Sequence, residues 1–376
     1  MDIRTTCVHG SAKKYDNTGA VAVPIFASAT FAHPSVGEST GFDYSRAANP
    51  TREHLEITVA ALEEGEKAFA FSSGMAAATA LMELFSPGDH IIATDDLYGG
   101  SYRLFETISK KNGLLFSYAD TVEGIEAAIR PETKAVFLET PTNPMMCVID
   151  ISEAVRVAHY NNLLIIVDNT FLTPYFQKPL LLGADIVLHS GTKYLGGHND
   201  TIAGFLVVRD ESLAEQLGII SMTTGAALSP FDSFLIIRGI KTLAVRMERQ
   251  QETAIVLANW LRERDEVEKV HFIGLPEHPG YELSCRQASG FGGMISFTMR
   301  DEQTAVRILE RLKVIQYAES LGGCESLITF PVIQTHAAIP EEERNARGIT
   351  MSLLRLSVGL ESVNDLIADL EQAMAE

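Results

Sequence analysis

Short, unbroken apolar runs recur along the first half of the chain. They fall at Ala68–Phe71, His90–Ala93, Leu115–Tyr118, Ala135–Leu138, Leu164–Val167, Ile186–Leu188 and Phe205–Val208. Runs that do not alternate with polar residues predict strands covered on both faces. Helical spacing of apolar residues appears between several of them, over Met75–Leu84, Gly100–Lys110, Val122–Ile129 and Ser152–Tyr160. This alternation predicts an α/β fold built on a mostly parallel, doubly wound seven-stranded sheet. Ligands of such sheets sit beyond the carboxyl ends of the strands. The residues just after each run are therefore the candidates for chemistry.

The flanking regions read differently. Residues 1–48 are rich in Thr, Ser, Pro and Gly with little periodicity, which predicts an arm, not a domain. Residues 49–238 carry the alternation. Residues 239–376 open on one long helical pattern from Ile240 to Arg264. Strands at Val267–Phe272 and Met294–Phe297 follow, with helices at Glu302–Arg311 and Val363–Met374, and together they predict a smaller C-terminal α/β domain. A chain of 376 residues with 46% hydrophobic content can bury the cores of two domains. The net charge of -19 argues against nucleic acid or an anionic membrane as partner. No signal segment or membrane-spanning run is visible. Cys7, Cys147, Cys285 and Cys324 are scattered without a CxxC, as in a cytoplasmic protein with free thiols. The histidines show no HExxH or paired spacing, so no metal site is expected.

The stretch from His189 to His198, HSGTKYLGGH, carries the strongest chemical signal. Lys193 follows the run Ile186–Leu188 and is expected at the end of a buried strand, where an ammonium is costly unless used. A Schiff base with an aldehyde cofactor is one use, with Ser190 and Thr192 available to a phosphate. Asp168 ends the run Leu164–Val167 and can face the same crevice. A plain buried Asp–Lys pair would stabilise poorly. Ser73-Gly74-Met75 precedes a helix, where free N–H groups suit a phosphate, although Ser and Gly are also common caps. Tyr98, in DDLYGG, can stack on a flat ring or be a surface turn aromatic. Arg355, inside LLRLSV, suits a substrate carboxylate or a structural ion pair. Glu319 precedes the glycine turn of ESLGG.

Taken together, these segments resemble the Cys/Met-metabolism group of pyridoxal 5'-phosphate (PLP) enzymes, the trans-sulfuration enzymes. The resemblance rests on YSR at 44–46, NPTR at 49–52, SGM at 73–75, DLYGG at 96–100, ETPTNP at 139–144 and VDNTF at 167–171. The lysine decamer, ESLGG at 319–323, TH at 335–336 and RLSVG at 355–359 complete it. It implies PLP-dependent fold type I, the aspartate aminotransferase-like architecture. Lys193 would carry the cofactor and shuttle the α-proton, Asp168 would pair with the pyridine nitrogen, and Tyr98 would stack on the ring. Gly74, Met75, Ser190 and Thr192 would hold the phosphate, joined by Tyr44 and Arg46 of a neighbouring subunit. Arg355 would clamp the substrate carboxylate near Ser320, Asn143 and Thr335. The resemblance further implies a homotetramer built as a dimer of dimers with shared sites, acting on small amino acids.

Within that group, Glu319 and the segment Gly290–Phe297 resemble the γ-synthase and γ-lyase branches. The expected reaction is that of a cystathionine γ-synthase, with γ-lyase, β-lyase and O-acetylhomoserine sulfhydrylase as alternatives. Gly191 stands where Ala or Cys is more usual, and Ser221-Met222-Thr223 lacks the Lys-Asp pair of methionine γ-lyases. A nucleotide-binding dehydrogenase would need a GxGxxG after the first strand, which is missing. A non-catalytic binding protein would have no need of Lys193 and Asp168 at strand ends.

Overall fold

Strands form at all seven predicted runs because each run supplies side chains to both faces of one sheet. The computed structural model describes residues 1–10, 18–337 and 339–375. Its strands are β1 (Lys67–Phe71), β2 (His90–Thr94), β3 (Leu115–Ala119), β4 (Thr133–Glu139), β5 (Leu164–Asp168), β6 (Ile186–Ser190) and β7 (Gly204–Val208). Phe69 and Phe71 pack into one apolar cluster while Ala68 and Ala70 pack into another. Ile166 and its neighbours Ile165 and Val167 divide in the same way.

The strand order is β1-β7-β6-β5-β4-β2-β3. The pairs from β3 through β6 are parallel, and β7 is antiparallel to both β6 and β1. A parallel return needs a crossover, usually a helix. Residues 191–203 form turns without a helix, so β7 runs back beside β6.

A second sheet contains β8 (Val267–His271), β9 (Met294–Met299), β10 (Gln316–Tyr317), β11 (Leu327–Thr329) and β12 (Leu353–Ser357), in the order β10-β11-β12-β9-β8. Helices Glu302–Arg311 and Val363–Met374 have the predicted bounds. Asp301 caps the first by accepting from Thr304 N at 2.7 Å, and Ala305 and Ile308 face the core.

The structure corrects three expectations. The helical pattern of Ile240–Arg264 is one shorter helix, Leu243–Leu261, and a separate helix, Pro230–Ile240, precedes it where none was expected. A Cβ on Gly239 would stand 2.1 Å from Gly196 O, and the Gly239 carbonyl accepts from Thr242 N and Arg246 Nη2 at 3.1 and 2.8 Å. The N-terminal region contains a helix, Ile3–His9, capped by Asp2 and anchored by buried Cys7. One anchor is too little to make a periodic pattern. Helices Pro50–Glu63 and Glu211–Thr224 also lie outside the predicted set. Among the described residues, no helix is long and apolar enough to cross a membrane.

Candidate active site

A cavity of about 230 Å³ opens beyond the carboxyl ends of β4, β5 and β6. It is lined by Gly74, Met75, Tyr98, Asp168, Ser190, Thr192 and Lys193, and by Asn143, Glu319, Ser320, Thr335 and Arg355. Twelve of the fourteen expected site residues thus meet in one place. Tyr44 and Arg46 do not. Arg46 Nη1 donates to Met222 O at 2.5 Å, its guanidinium lies 5.6 Å from the Tyr44 ring, and half of Tyr44 is exposed.

Lys193 lies three residues beyond the end of β6, in a turn, and not on the strand as expected. Small residues permit this turn: a Cβ on Gly191 would press the Phe205 ring at 2.4 Å. The Lys193 Nζ donates to Ser320 Oγ at 2.8 Å. Burial, helped by the Arg355 charge and opposed by Glu319, lowers its pKa from 10.5 to about 8. Ser320 holds a left-handed backbone at φ 92°, uncommon for serine, and its carbonyl accepts from Arg355.

Asp168 Oδ1 accepts from Thr170 N and Thr170 Oγ1 at 3.0 and 2.5 Å. The Thr170 hydroxyl in turn accepts from Ser190 N, tying β5 to β6 at the cavity floor. Burial raises the Asp168 pKa and the Thr170 bonds oppose it. Glu139, at the end of β4, also lines the cavity and was not singled out from the sequence. Its Oε2 accepts from Tyr98 N at 2.8 Å, which fixes the backbone under the Tyr98 ring. Burial first, and then the charge of Asp168, push its pKa well above the ordinary value.

The helix Gly74–Met82 points its N-terminus at the cavity. Ser73 caps it by accepting from Ala76 N at 2.9 Å. The N–H groups of Gly74 and Met75 precede the first intrahelical bond and remain free for an anion. A Cβ on Gly74 would sit 3.0 Å from the Ser190 Cβ and fill this cradle. Thr192 differs from expectation in one respect: its hydroxyl already donates to Ala203 O at 3.2 Å and accepts from Ala203 N at 3.1 Å.

Arg355 sits on β12, the middle strand of the second sheet, and is 1% exposed. Its Nη1 donates to Asn143 Oδ1 at 2.8 Å, and its Nη2 to Ser320 O and Thr329 Oγ1 at 3.0 and 3.1 Å. Its Nε is buried without a partner, and no carboxylate pairs with it among the described residues. Burial lowers its pKa to about 10. A buried fork with a spare donor and no counter-ion is prepared for a carboxylate. Thr335 Oγ1 is 2.8 Å from His336 Nδ1, whose Nε2 lies 3.0 Å from Asn143 O.

The free helix N-terminus, the buried amine and the carboxylate opposite it match the phosphate, aldehyde and pyridine nitrogen of PLP. Residues 4–375 match the family model described as Cys/Met metabolism PLP-dependent enzyme. The chain is 48% identical to the cystathionine gamma-lyase of Bacillus subtilis, covering 100% of this chain and 99% of that protein. It is 46% identical to the cystathionine beta-lyase of Lactococcus lactis, covering 99% and 98%. A solved cystathionine gamma synthase from Xanthomonas oryzae, in complex with cystathionine, superposes with a TM-score of 0.97 at 40% identity, covering 100% of this chain and 98% of that one.

Proposed function

Since the chain belongs to the Cys/Met metabolism family of PLP-dependent enzymes, we propose that it is a trans-sulfuration enzyme working at a γ-carbon, as a cystathionine γ-synthase. It would join an O-acylhomoserine to cysteine. The observation that carries this reading is Glu319, exposed at the cavity rim with no ion-pair partner among the described residues. A carboxylate there can hold the ammonium of an incoming cysteine, or the distal one of cystathionine.

When bound, PLP supplies an aldehyde for the substrate amine and a ring that takes up electrons from the α-carbon. The protein does the rest. Lys193, whose pKa burial lowers to about 8, would move the α-proton and then a β-proton. Asp168, on the cavity floor, would pair with the pyridine nitrogen and keep it charged. Gly74, Met75 and Ser190 would hold the phosphate, and Thr192 braces the loop that carries Lys193. Tyr98 would cover the ring. Arg355, oriented by Asn143 and Ser320, fixes the substrate carboxylate, and Thr335 closes that side through His336. Tyr44 and Arg46, remote from their own cavity, would complete the phosphate site of a neighbouring subunit in a homotetramer. Residues 1–48 would then form an arm, 49–238 the cofactor domain and 239–376 the second domain.

A γ-lyase is the second reading, favoured by the 48% identity to the Bacillus subtilis enzyme over the full chain. Product analysis separates the readings. O-Acetyl- or O-succinylhomoserine plus cysteine should give cystathionine. Cystathionine converted faster to cysteine and 2-oxobutyrate would favour the γ-lyase, and homocysteine with pyruvate the β-lyase. Hydrogen sulfide used in preference to cysteine would indicate a sulfhydrylase.

A further inference from the structure

Lys193 and Ser320 meet at the cavity from segments distant in the chain, and neither segment is a helix or a strand. The Lys193 turn is closed by Lys193 N to Ser190 O at 3.3 Å, Gly196 N to Gly191 O at 2.9 Å and Gly197 N to Lys193 O at 2.7 Å. These bonds leave the carbonyl of buried Tyr194 to an outside donor. The other segment holds Ser320 at φ 92°, and backbone strain of this kind persists only where the surroundings enforce it.

One helix, Leu243–Leu261, supports both segments. Arg246 Nη1 donates to Tyr194 O at 2.8 Å, and Gln250 Nε2 donates to Gly323 O at 2.7 Å. Residues four apart lie on one face of a helix, a turn from each other. Both side chains are buried, and neither lines the cavity. The guanidinium is held from several sides. Its Nε donates to Thr242 Oγ1 at 3.0 Å, its Nη2 donates to Gly239 O at 2.8 Å, and a Cβ on Gly197 would stand 2.1 Å from Nη1. The two segments also touch each other, since a Cβ on Gly322 would stand 2.7 Å from Tyr194 N. No carboxylate pairs with Arg246 among the described residues. Burial lowers its pKa to about 10, so it stays charged at neutral pH. A buried cation without a counter-ion is a costly way to fill space, and the arrangement points to placement as its purpose.

We propose that Arg246 and Gln250 are positioning residues that fix Lys193 against Ser320 from successive turns of one helix. They act through the backbones of Tyr194 and Gly323. What they set is the 2.8 Å bond from Lys193 Nζ to Ser320 Oγ, and with it the place of the amine in the cavity. The proposal rests on the reading of Lys193 as the residue that moves the α-proton, and not on which trans-sulfuration reaction follows.

The test follows exchange of the α-proton of L-norvaline for deuterium, by NMR, in holoenzyme of measured cofactor content. L-Norvaline has a γ-carbon and no leaving group, so proton transfer alone is read. Arg246→Lys keeps the charge and cannot span three acceptors. Gln250→Met keeps a similar volume and removes an amide whose Oε1 is already without a partner, so it carries the test alone if Arg246→Lys does not fold. Misplacing a reacting group by about 1 Å costs up to about 10²-fold, so kcat for exchange should fall about tenfold or more in each variant, with KM within about twofold. Apoprotein gives a second reading: the inflection of PLP capture, at about 8 in the unaltered chain, should move up toward 10.5 as the amine loses its buried setting. A variant with unaltered exchange per bound cofactor and an unaltered inflection would overturn the proposal, even with a lowered urea midpoint, because its role would then be structural only. Unaltered exchange by Lys193→Ala would overturn the reading of Lys193 itself, and the proposal with it.

Discussion

Glu139 and Asp168 stand directly opposite each other, as register partners at the carboxyl ends of parallel strands β4 and β5. Both are buried at one cavity, and two carboxylates so placed do not both ionise readily. Asp168 has two Thr170 donors to support a charge, whereas Glu139 has one backbone N–H. The neutral member is therefore Glu139. Glu139→Gln should keep kcat/KM within about threefold, because it removes no charge and retains an acceptor for Tyr98 N. Glu139→Ala orphans that N–H, at a cost of about 1–3 kcal/mol, and should lower kcat/KM about tenfold or more. Steady-state kinetics of the two variants checks this. A Gln variant as impaired as the Ala variant would refute the assignment.

Asp168→Asn should behave differently. The amide still fits, but the negative charge opposite the pyridine nitrogen is gone. Turnover should fall about 10²–10³-fold, as for loss of one aimed electrostatic group. Cofactor content, read from absorbance, should change little, since the phosphate cradle is untouched.

The Arg355 fork should govern substrate affinity. Arg355→Lys keeps a charge and loses the paired geometry. A cost of about 2–3 kcal/mol in the carboxylate interaction corresponds to a rise in KM of about 30–150-fold, with a smaller effect on kcat. An unchanged KM would place the substrate carboxylate elsewhere.

Protonation of Lys193 sets a pH dependence. The neutral amine reacts with an aldehyde, and burial lowers the pKa of this lysine to about 8. The rate at which apoprotein captures PLP should rise with pH and level off above about 8. Stopped-flow absorbance over this range tests it. An inflection near the ordinary value of 10.5 would show that the amine is solvated.

Stability has a separate anchor in Glu63, whose Oε1 accepts from His189 Nε2 and Asn169 Nδ2 at 2.5 and 2.9 Å inside the core. Glu63→Ala leaves His189 Nε2 unpaired, while Asn169 Nδ2 keeps only Gln177 O, and should cost about 1–3 kcal/mol. The urea midpoint should fall with little change in slope. A loss below about 1 kcal/mol would mean that water replaces the carboxylate.

The parallel sheet was legible in the sequence because Ile165–Val167 and similar runs feed two faces at once, which leaves no polar alternation. Lys193, Asp168 and Arg355 were legible because charges beside apolar runs need a reason. Glu139 was not. It appears in the sequence as one letter of ETPTNP, and only the register of β4 against β5 brings it beside Asp168. The need for a residue without a Cβ at Gly239 was equally hidden, because its close approach to Gly196 O is a long-range contact.

The central claim is that Lys193 is the residue that bonds the cofactor. The purified protein should be yellow and should bleach when treated with borohydride. Peptide mapping of the reduced protein should then find the pyridoxyl group on Lys193 alone. A colourless protein after incubation with PLP, or an adduct on another lysine, would contradict the account.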